Sequence, residues 1–514
     1  MMKHWTALLT ASLATLLIVF AAAPFARADI FQWERFEGAY LESTMLAPDG
    51  AGANVVPGAD LSLRNLTRAY LVAANLSGAN FTQANLTQAA FSGSGGIYSS
   101  TPAATLTGAN FSHANLRNAD FGGYAGFDPA DPGIYYYLGA DLTGASLVEA
   151  NLTGTNFVAA TLANADLSHT KLNANFTSAT LTDANLTGAD VRGAGFNRAS
   201  VVYFPYYNSL FGGITPAQLY STASYQDHDL TGINLTGNDL TGVNLAGQHL
   251  TNASFAYATL TGANLTGADA RGANFQYATL TGAITSNLIQ SDGHIAGLDL
   301  TAGASLVVRD YDGNPAVSAI VIDQHVAIDA TGTLRLVFDA DPWDSTISFA
   351  PGIPVVLGGT LELSFAPGVN VATQSGRTID LFDWTGVTPT GAFTVSSPYS
   401  WNLTNLYTTG EVTLTAVPSL PGDFNLDGTV DAADYVVWRK TDGTQAGYNT
   451  WRAHFGATLG AGGGAALPSA GPLSPAVPEP ASVALAGLGV LGLVSRAWRR
   501  RPRSYEGGSL TSSR

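Results

Sequence analysis

Ala74-Asn75-Leu76-Ser77-Gly78, Ala79-Asn80-Phe81-Thr82-Gln83, Ala84-Asn85-Leu86-Thr87-Gln88: this run decides the fold. Its frame is a small residue, Asn or Asp, Leu or Phe, Thr or Ser, then mostly Gly. The frame returns at Ala109-Asn110-Phe111, Ala140-Asp141-Leu142, Ala184-Asn185-Leu186 and Ala273-Asn274-Phe275. A period of five fits neither a helix at 3.6 nor a flat strand at 2.0. If each pentad turns the chain by about a right angle, roughly four of them close a square coil, and coils stack about 4.8 Å apart. The central Leu or Phe and the small residue two places before it then point inward. The Asn/Asp, Thr/Ser and Gly positions face outward or form the corner, where Gly and Asn tolerate unusual backbone angles.

The pentads from Ala59 to Gly282 resemble the pentapeptide-repeat family. The resemblance implies an all-β fold, a right-handed quadrilateral β-helix over 59–284 of about eight coils. The frame breaks at 94–103, 123–139 and 203–228, and slips by one residue between Leu172 and Phe176. Thr215-Pro216-Ala217-Gln218 has the capping-box pattern with Pro at the first helical position, so a short helix is expected there. Aromatics collect in the insertions: Tyr135, Tyr136, Tyr137, Tyr203, Phe204, Tyr206, Tyr207 and Phe211. They either plug the join between coil stacks or offer rings on which sugars stack.

The chain has no cysteine, so disulfides, thiolate zinc sites and cysteine nucleophiles are excluded. Only 12% of its residues are charged, and the formal net charge is −16. That balance argues against nucleic acid as a partner and suits an extracellular, calcium-rich setting. Residues 1–28 read as a secretory signal: Lys3, an apolar run from Ala7 to Ala23, and Ala26-Arg27-Ala28 before a cut at Asp29. Residues 29–58 lead into the first coil, where Ile30-Phe31-Gln32-Trp33 would cap the open end of the solenoid.

Residues 297–417 carry short alternating stretches such as Ser305-Leu306-Val307-Val308-Arg309, Thr333-Leu334-Arg335-Leu336-Val337-Phe338 and Thr360-Leu361-Glu362-Leu363-Ser364-Phe365. This β-rich domain is either a sandwich or an irregular continuation of the solenoid.

In 421–456 the spacing is chemical. Asp423, Asn425, Asp427, Asp431 and Asp434 place side-chain oxygens at loop positions 1, 3, 5, 9 and 12, and Gly428 sits at position 6. That is the spacing of a calcium loop, with the carbonyl of Thr429 as the ligand at position 7. Asp434 is read as opening the helix Tyr435-Val436-Val437-Trp438-Arg439-Lys440. With Asp rather than Glu at position 12, this EF-hand-like segment resembles a degenerate type I dockerin repeat. The resemblance implies Ca2+ and a cohesin-like partner. The second half keeps the helix-like Tyr448 to Gly456, but its linking loop lacks the carboxylates for a second site.

After a Gly/Ala/Pro linker at 459–476 come Val477-Pro478-Glu479-Pro480, an apolar run from Val483 to Val494, and Arg496, Arg499, Arg500, Arg501 and Arg503. This tail, 477–503, resembles the PEP-CTERM sorting signal. The resemblance implies export, a transmembrane helix that anchors the chain transiently, and cleavage by an exosortase.

No catalytic constellation stands out. The chain has no HExxH, GxSxG or GxxxxGK[ST] motif. Asp in the pentads alternates with Asn at a structural position, which a catalytic carboxylate would not tolerate. The first expectation is therefore an exported, non-enzymatic protein of the cell surface or extracellular matrix. The alternative is a binding module for extracellular polysaccharide or a cohesin-like partner. A polysaccharide-degrading enzyme is the outsider, because it needs clustered carboxylates on one face.

Overall fold

The structure is a computed structural model that describes residues 29–457, apart from 37–38, 97–98, 124, 128–134, 138, 204–206, 311–318, 340–341, 367–368, 417–419 and 426–427. The expected signal at 1–28, the linker at 459–476 and the sorting tail at 477–503 lie outside the described residues. Contacts divide the chain into two units: one of residues up to Val369 and Gly376–Ala416, and a second of Asn370–Ser375 and the residues from Val417 onward.

The pentads form parallel bridges at a fixed offset: Asp60 pairs with Asn80 and Asn65 with Asn85, so a coil takes 20 residues, or four pentads. One face climbs from Tyr70 through Ala90, Asp120, Asn156, Asn175, Gly195, Asn234 and Ser254 to Asn274. The larger steps in that series absorb the insertions. Two of these are antiparallel hairpins, Ser94–Gly96 with Ser99–Thr101 and Ala125–Phe127 with Tyr135–Tyr137. The third begins with the hairpin Ala199–Tyr203/Tyr207–Phe211. The slip closes with a tighter turn: Ala174 N–H donates to the Leu172 carbonyl, so this corner uses one residue fewer.

The regular corners are turns closed by an N–H three residues on, such as Ala79 to the Leu76 carbonyl at 3.0 Å. The residue before the closing one has positive φ, 66° at Gly78, which marks a type II turn. Leu63, Arg68, Gln83, Glu149 and Tyr257 take the same conformation without being glycine. A side chain there costs about 1–2 kcal/mol, so the stack imposes the corner and the local residue tolerates it. Inside, phenylalanines stack from coil to coil: Phe81 on Phe111 at 4.7 Å, Phe91 on Phe121 at 4.5 Å, Phe157 on Phe176 at 4.9 Å. Outside, the Asn side chains close their own pentads, and several also reach the coil before. Asn85 Oδ1 accepts from Thr87 N–H and Oγ1 at 3.2 and 2.6 Å, while its Nδ2 donates to Asn65 Oδ1 at 3.2 Å.

The expected helix is α1, Pro216–Ser221, capped by the Thr215/Gln218 box, and a short α2, Ala223–Gln226, follows it. The pair occupies the place of missing coil. Leu219 is fully buried in the pentad core. Tyr220 Oη accepts from the Asn244 N–H (2.7 Å), and Tyr225 Oη donates to the Asn244 carbonyl (2.8 Å). Two hydroxyls thus satisfy backbone groups that a preceding coil would otherwise hold.

Residues 294–416 continue as a solenoid with longer coils. Three four-stranded parallel sheets are built in turn. One holds His294–Ile295, Ile320–Ile322, Ile347–Phe349 and Phe382–Asp383; the next, Leu298–Leu300, Val326–Ile328, Val355–Leu357 and Thr390–Gly391; the third, Ser305–Arg309, Thr333–Phe338, Thr360–Phe365 and Thr394–Ser396. Of the two readings left open by the sequence, continuation is the one observed. Burial alternates along these strands, as in Thr360–Phe365, because successive side chains point to opposite faces. An antiparallel sheet of Thr378–Asp380, Ser400–Asn402 and Glu411–Ala416 closes this segment.

Candidate functional site

The residues of the expected calcium loop lie in the second unit, on a loop that leads into a helical pair, α3 (Ala432–Thr441) and α4 (Gln445–His454). Asp431 is the N-cap of α3 and Asp434 its third residue. Asp431 Oδ1 accepts from Ala433 N–H at 2.7 Å, and Asp434 Oδ2 accepts from Asp431 N–H at 2.8 Å. The helix therefore starts at Ala432, three residues before the start read from the sequence, and Asp434 sits inside it. The signal for this was present: Asp-x-x-Asp is a capping-box pattern with a short acid in place of Glu.

Asp423 and Asp434 are both buried. Asp434 Oδ1 takes the Asn425 N–H at 3.0 Å and Asp423 Oδ2 takes the Gly428 N–H at 2.9 Å, so the two acids gather the loop around themselves. Gly428 has φ of 88°, the sharp turn expected at position 6. Thr429 is half-buried. Asp427, the central member of the pattern, lies outside the described residues. Among the described residues no group of three or more His, Cys, Asp or Glu is placed to hold a metal ion. The donor set nonetheless has the chemistry of a hard cation's site: carboxylate and amide oxygens on one tight loop, two of the carboxylates buried.

The second half echoes the first in packing rather than in ligands. Tyr435, Trp438, Tyr448 and Trp451 form one aromatic cluster, with Tyr435 and Trp451 rings 5.1 Å apart and Trp438 and Tyr448 5.5 Å apart. Trp451 Nε1 donates to the Asp431 carbonyl at 2.6 Å, so α4 holds the last turn of the loop in place. Sequence spacing alone does not reveal that bond.

On the solenoid, outward polar groups are spent on one another. Burial opposes ionisation of Asp141, but the Thr143 hydroxyl (2.6 Å) and backbone N–H (3.0 Å) and the Thr107 hydroxyl (3.0 Å) all donate to its carboxylate and together hold it below its ordinary range. Asp229 is lowered too: burial opposes ionisation, but the nearby His249 imidazole (3.7 Å) and hydrogen bonds from the Thr231 N–H and hydroxyl outweigh it. Asp310, between the Asp339 and Asp344 backbone N–H groups, is pushed up by burial to about 6. Arg271 is fully buried. It pairs with Asp269 at 2.7 Å and donates to Ser345 Oγ and the Arg309 carbonyl, joining the four-sided and three-sided segments.

The aromatic insertions place Tyr135–Tyr137, Tyr203 and Tyr207 on hairpin backbones, and their side chains lie outside the described residues, as do Phe204 and Tyr206. An aromatic pair that sequence reading missed is exposed instead. Tyr257 and Tyr277, 62% and 68% exposed, stack at 4.9 Å on successive corners. Their 20-residue separation at the corner position was the available signal.

A family model described as pentapeptide repeats matches in eight copies, over 58–94, 103–123, 139–173, 162–200, 229–267 and 249–284. A second, described as the PEP-CTERM protein-sorting motif, matches 476–501. The chain carries pentapeptide repeats and a PEP-CTERM sorting motif. The motif indicates export and cell-surface sorting and implies processing by an exosortase.

No curated protein matches the chain. Among solved structures, HetL, a pentapeptide repeat protein involved in heterocyst differentiation regulation from Nostoc sp. strain PCC 7120, is 23% identical. That match covers 46% of this chain and 90% of HetL, with a TM-score of 0.16. A pentapeptide repeat protein of the Arabidopsis thaliana thylakoid lumen is 24% identical over 26% of this chain and 66% of its own, with a TM-score of 0.11. QnrB1, a plasmid-mediated fluoroquinolone resistance protein, is 19% identical over 43% and 84%, with a TM-score of 0.14. The four-sided fold rests on the bridge register, and these superposition scores add nothing to it. Among the described residues no helix is long and apolar enough to cross a membrane; the expected transmembrane segment at 483–494 lies outside them.

Proposed function

We propose that the chain is an exported, exosortase-processed protein of the cell surface or extracellular matrix, and that it works as a non-enzymatic scaffold. The observation that carries this reading is the sorting motif at 476–501 on a chain whose pentad coils extend from Asp60 to Ile289. The outward ladder supports a scaffold over an enzyme. Asp and Asn share one position because each supplies the acceptor oxygen that closes the pentad, and that oxygen is already bonded to Thr or Ser. A short apolar helix within the tail anchors the chain in the membrane until it is cut.

The calcium loop serves the same role on a smaller scale. Asp423, Asn425, Asp427, the Thr429 carbonyl, Asp431 and Asp434 hold Ca2+, which neutralises the buried acids and ties the loop to α3 and α4. Calcium raises the melting temperature of the full chain's helical unit, followed by the fluorescence of Trp438 and Trp451. Asp423→Ala abolishes that rise. An unmutated chain indifferent to calcium would sink the assignment.

A second reading has the solenoid bind extracellular polysaccharide. The exposed Tyr257–Tyr277 stack favours it, since a bulky side chain at positive φ is strained and rings of this kind suit sugar faces. Retardation of the chain in gels of its own host's polysaccharide, lost in Tyr257→Ser/Tyr277→Ser, tests this reading. The same mobility in both proteins would remove it.

A further inference from the structure

The three insertions leave the pentad stack along one edge. The face that climbs from Tyr70 to Asn274 is followed, three residues on, by a column of corners that runs from Ala73 through Gly93, Gly123 and Arg198 to Tyr257 and Tyr277. The hairpins open just after Gly93, Gly123 and Arg198. Tyr135–Tyr137, Tyr203 and Tyr207 stand on their strands. The stacked Tyr257–Tyr277 pair is the last step of the same column.

The first two hairpins are not needed to close their coils. Ala104 N–H donates to the Phe91 carbonyl and Ala140 N–H to the Phe121 carbonyl, both at 2.8 Å, where a plain corner has Ala160 N–H to the Phe157 carbonyl at 2.9 Å. The corner is finished beneath each hairpin, so no plug between coil stacks is required there. The tyrosine corners are equally unforced. On the next corner of the same coils stand Gly242, Gly262 and Gly282, where a side chain would meet open space. Both columns have room for side chains, yet the strain of a bulky residue at positive φ is taken up where the rings gather. Gly237 occupies the corner on the other side of Tyr257, so no side chain from that corner lies against the ring face that Tyr277 leaves uncovered.

We propose that this edge is one binding track for a neutral polysaccharide that lies along the solenoid axis, crossing the coils. The proposal rests on the polysaccharide reading above and gives the glycan its edge, its direction and its charge class. A sugar ring has an apolar face rimmed by hydroxyls. Here exposed tyrosines are flanked by Thr259 and Thr261 on one adjoining face and by Asn274 and Gln276 on the other. The insertions at 94–103, 124–138 and 199–211 contain no Lys or Arg to hold an acidic sugar, and Arg198 on the column is answered by the Asp239 carboxylate nearby. A chain of net charge −16 repels an acidic polymer. The seven steps from Gly93 to Tyr277 span about 34 Å at about 4.8 Å per coil, so a repeating polymer meets a repeating edge.

The test is affinity electrophoresis of the purified full chain in gels that hold hydroxyethyl cellulose, dextran or galactomannan, with alginate as the acidic polymer. At least one neutral polymer should slow the chain, and alginate should not. Tyr257→Gly/Tyr277→Gly restores the usual corner residue and relieves strain, so the fold survives while binding weakens about tenfold. Removal of residues 124–139 joins Gly123 to Ala140 in the register of a plain corner. It should weaken binding several-fold, although Gly123 lies five steps, about 24 Å, from Tyr257. Gln83→Ala, on another corner, should bind as the wild type does. A chain slowed by no neutral polymer would overturn this proposal and the polysaccharide reading together. Binding lost in the tyrosine variant but untouched by removal of 124–139 would keep that reading and overturn the track. Equal retardation by alginate, or an equal loss in Gln83→Ala, would also overturn it.

Discussion

The four-sided and three-sided segments stack parallel strands by the same backbone pairing, yet they place specificity in different parts of the chain. In the pentads every position has a fixed task. Leu76 fills the core, Asn75 binds the turn, Gly78 makes the corner and Ala79 closes it. In the three-sided coils the strands are longer, and the rule weakens to alternation. Leu361 and Leu363 are buried, while Glu362 between them is left partly outside. The lesson is that a short coil must specify its corners residue by residue, whereas a longer strand specifies only which face is wet.

The sharpest way to break this comparison is at the joint between the two segments. Arg271→Met leaves Asp269 buried without its partner and should cost about 3–5 kcal/mol. Chemical denaturation should show the two segments separating into distinct transitions; an unchanged single transition would mean that the joint couples nothing. Smaller, but more telling about the rule, is a pair of outward substitutions. Asn85→Ala removes bonds within its own pentad and to the coil before, and should cost about 1–3 kcal/mol. Val356→Ser, exposed on a three-sided strand, should stay within about 0.5 kcal/mol. Equal losses would show that outward positions matter alike in both segments.

The smallest effect concerns pH. The Asp323 hydrogen bond raises His294 above the ordinary histidine value, against the opposing effect of burial and with help from the charges of Asp323 and Asp292. The stabilisation is therefore complete below the unfolded histidine pKa and fades as pH rises through the raised one. Both side chains are well exposed to solvent, so the gain is well under about 1 kcal/mol. His294→Gln should lower the melting temperature at pH 5.5 and leave it unchanged at pH 9. A loss that is the same at both would assign His294 a packing role instead.

Much of this was legible because the chain repeats itself. The offset of four pentads per coil, the one-residue slip at Leu172–Phe176 and the Thr215 cap all follow from local patterns, and the bridges bear them out. What stayed hidden depends on distant parts of the chain. Nothing near Asn244 announces that Tyr220 and Tyr225 hold its backbone, and nothing near Asp269 announces that Arg271 reaches Ser345. The three-sided continuation was ambiguous because strands of three to six residues with alternating burial also suit a sandwich. Register across coils, which separates the two, is a property of pairs of strands. In the 423–434 loop the spacing pointed only to the ligands proposed above, and it placed the start of α3 too late because Asp431 and Asp434, which cap the helix, were read for their carboxylates alone.

The central claim, export with removal of the sorting tail, is tested most directly by mass spectrometry of the chain's C-terminus from the producing cells. The account predicts a mature form that ends near Val477–Pro480 and lacks Arg496 to Arg503. Substitution of Pro478 and Glu479 by Ala should preserve the arginines and leave the chain in the membrane fraction. Recovery of the intact tail on the wild-type surface protein would contradict it.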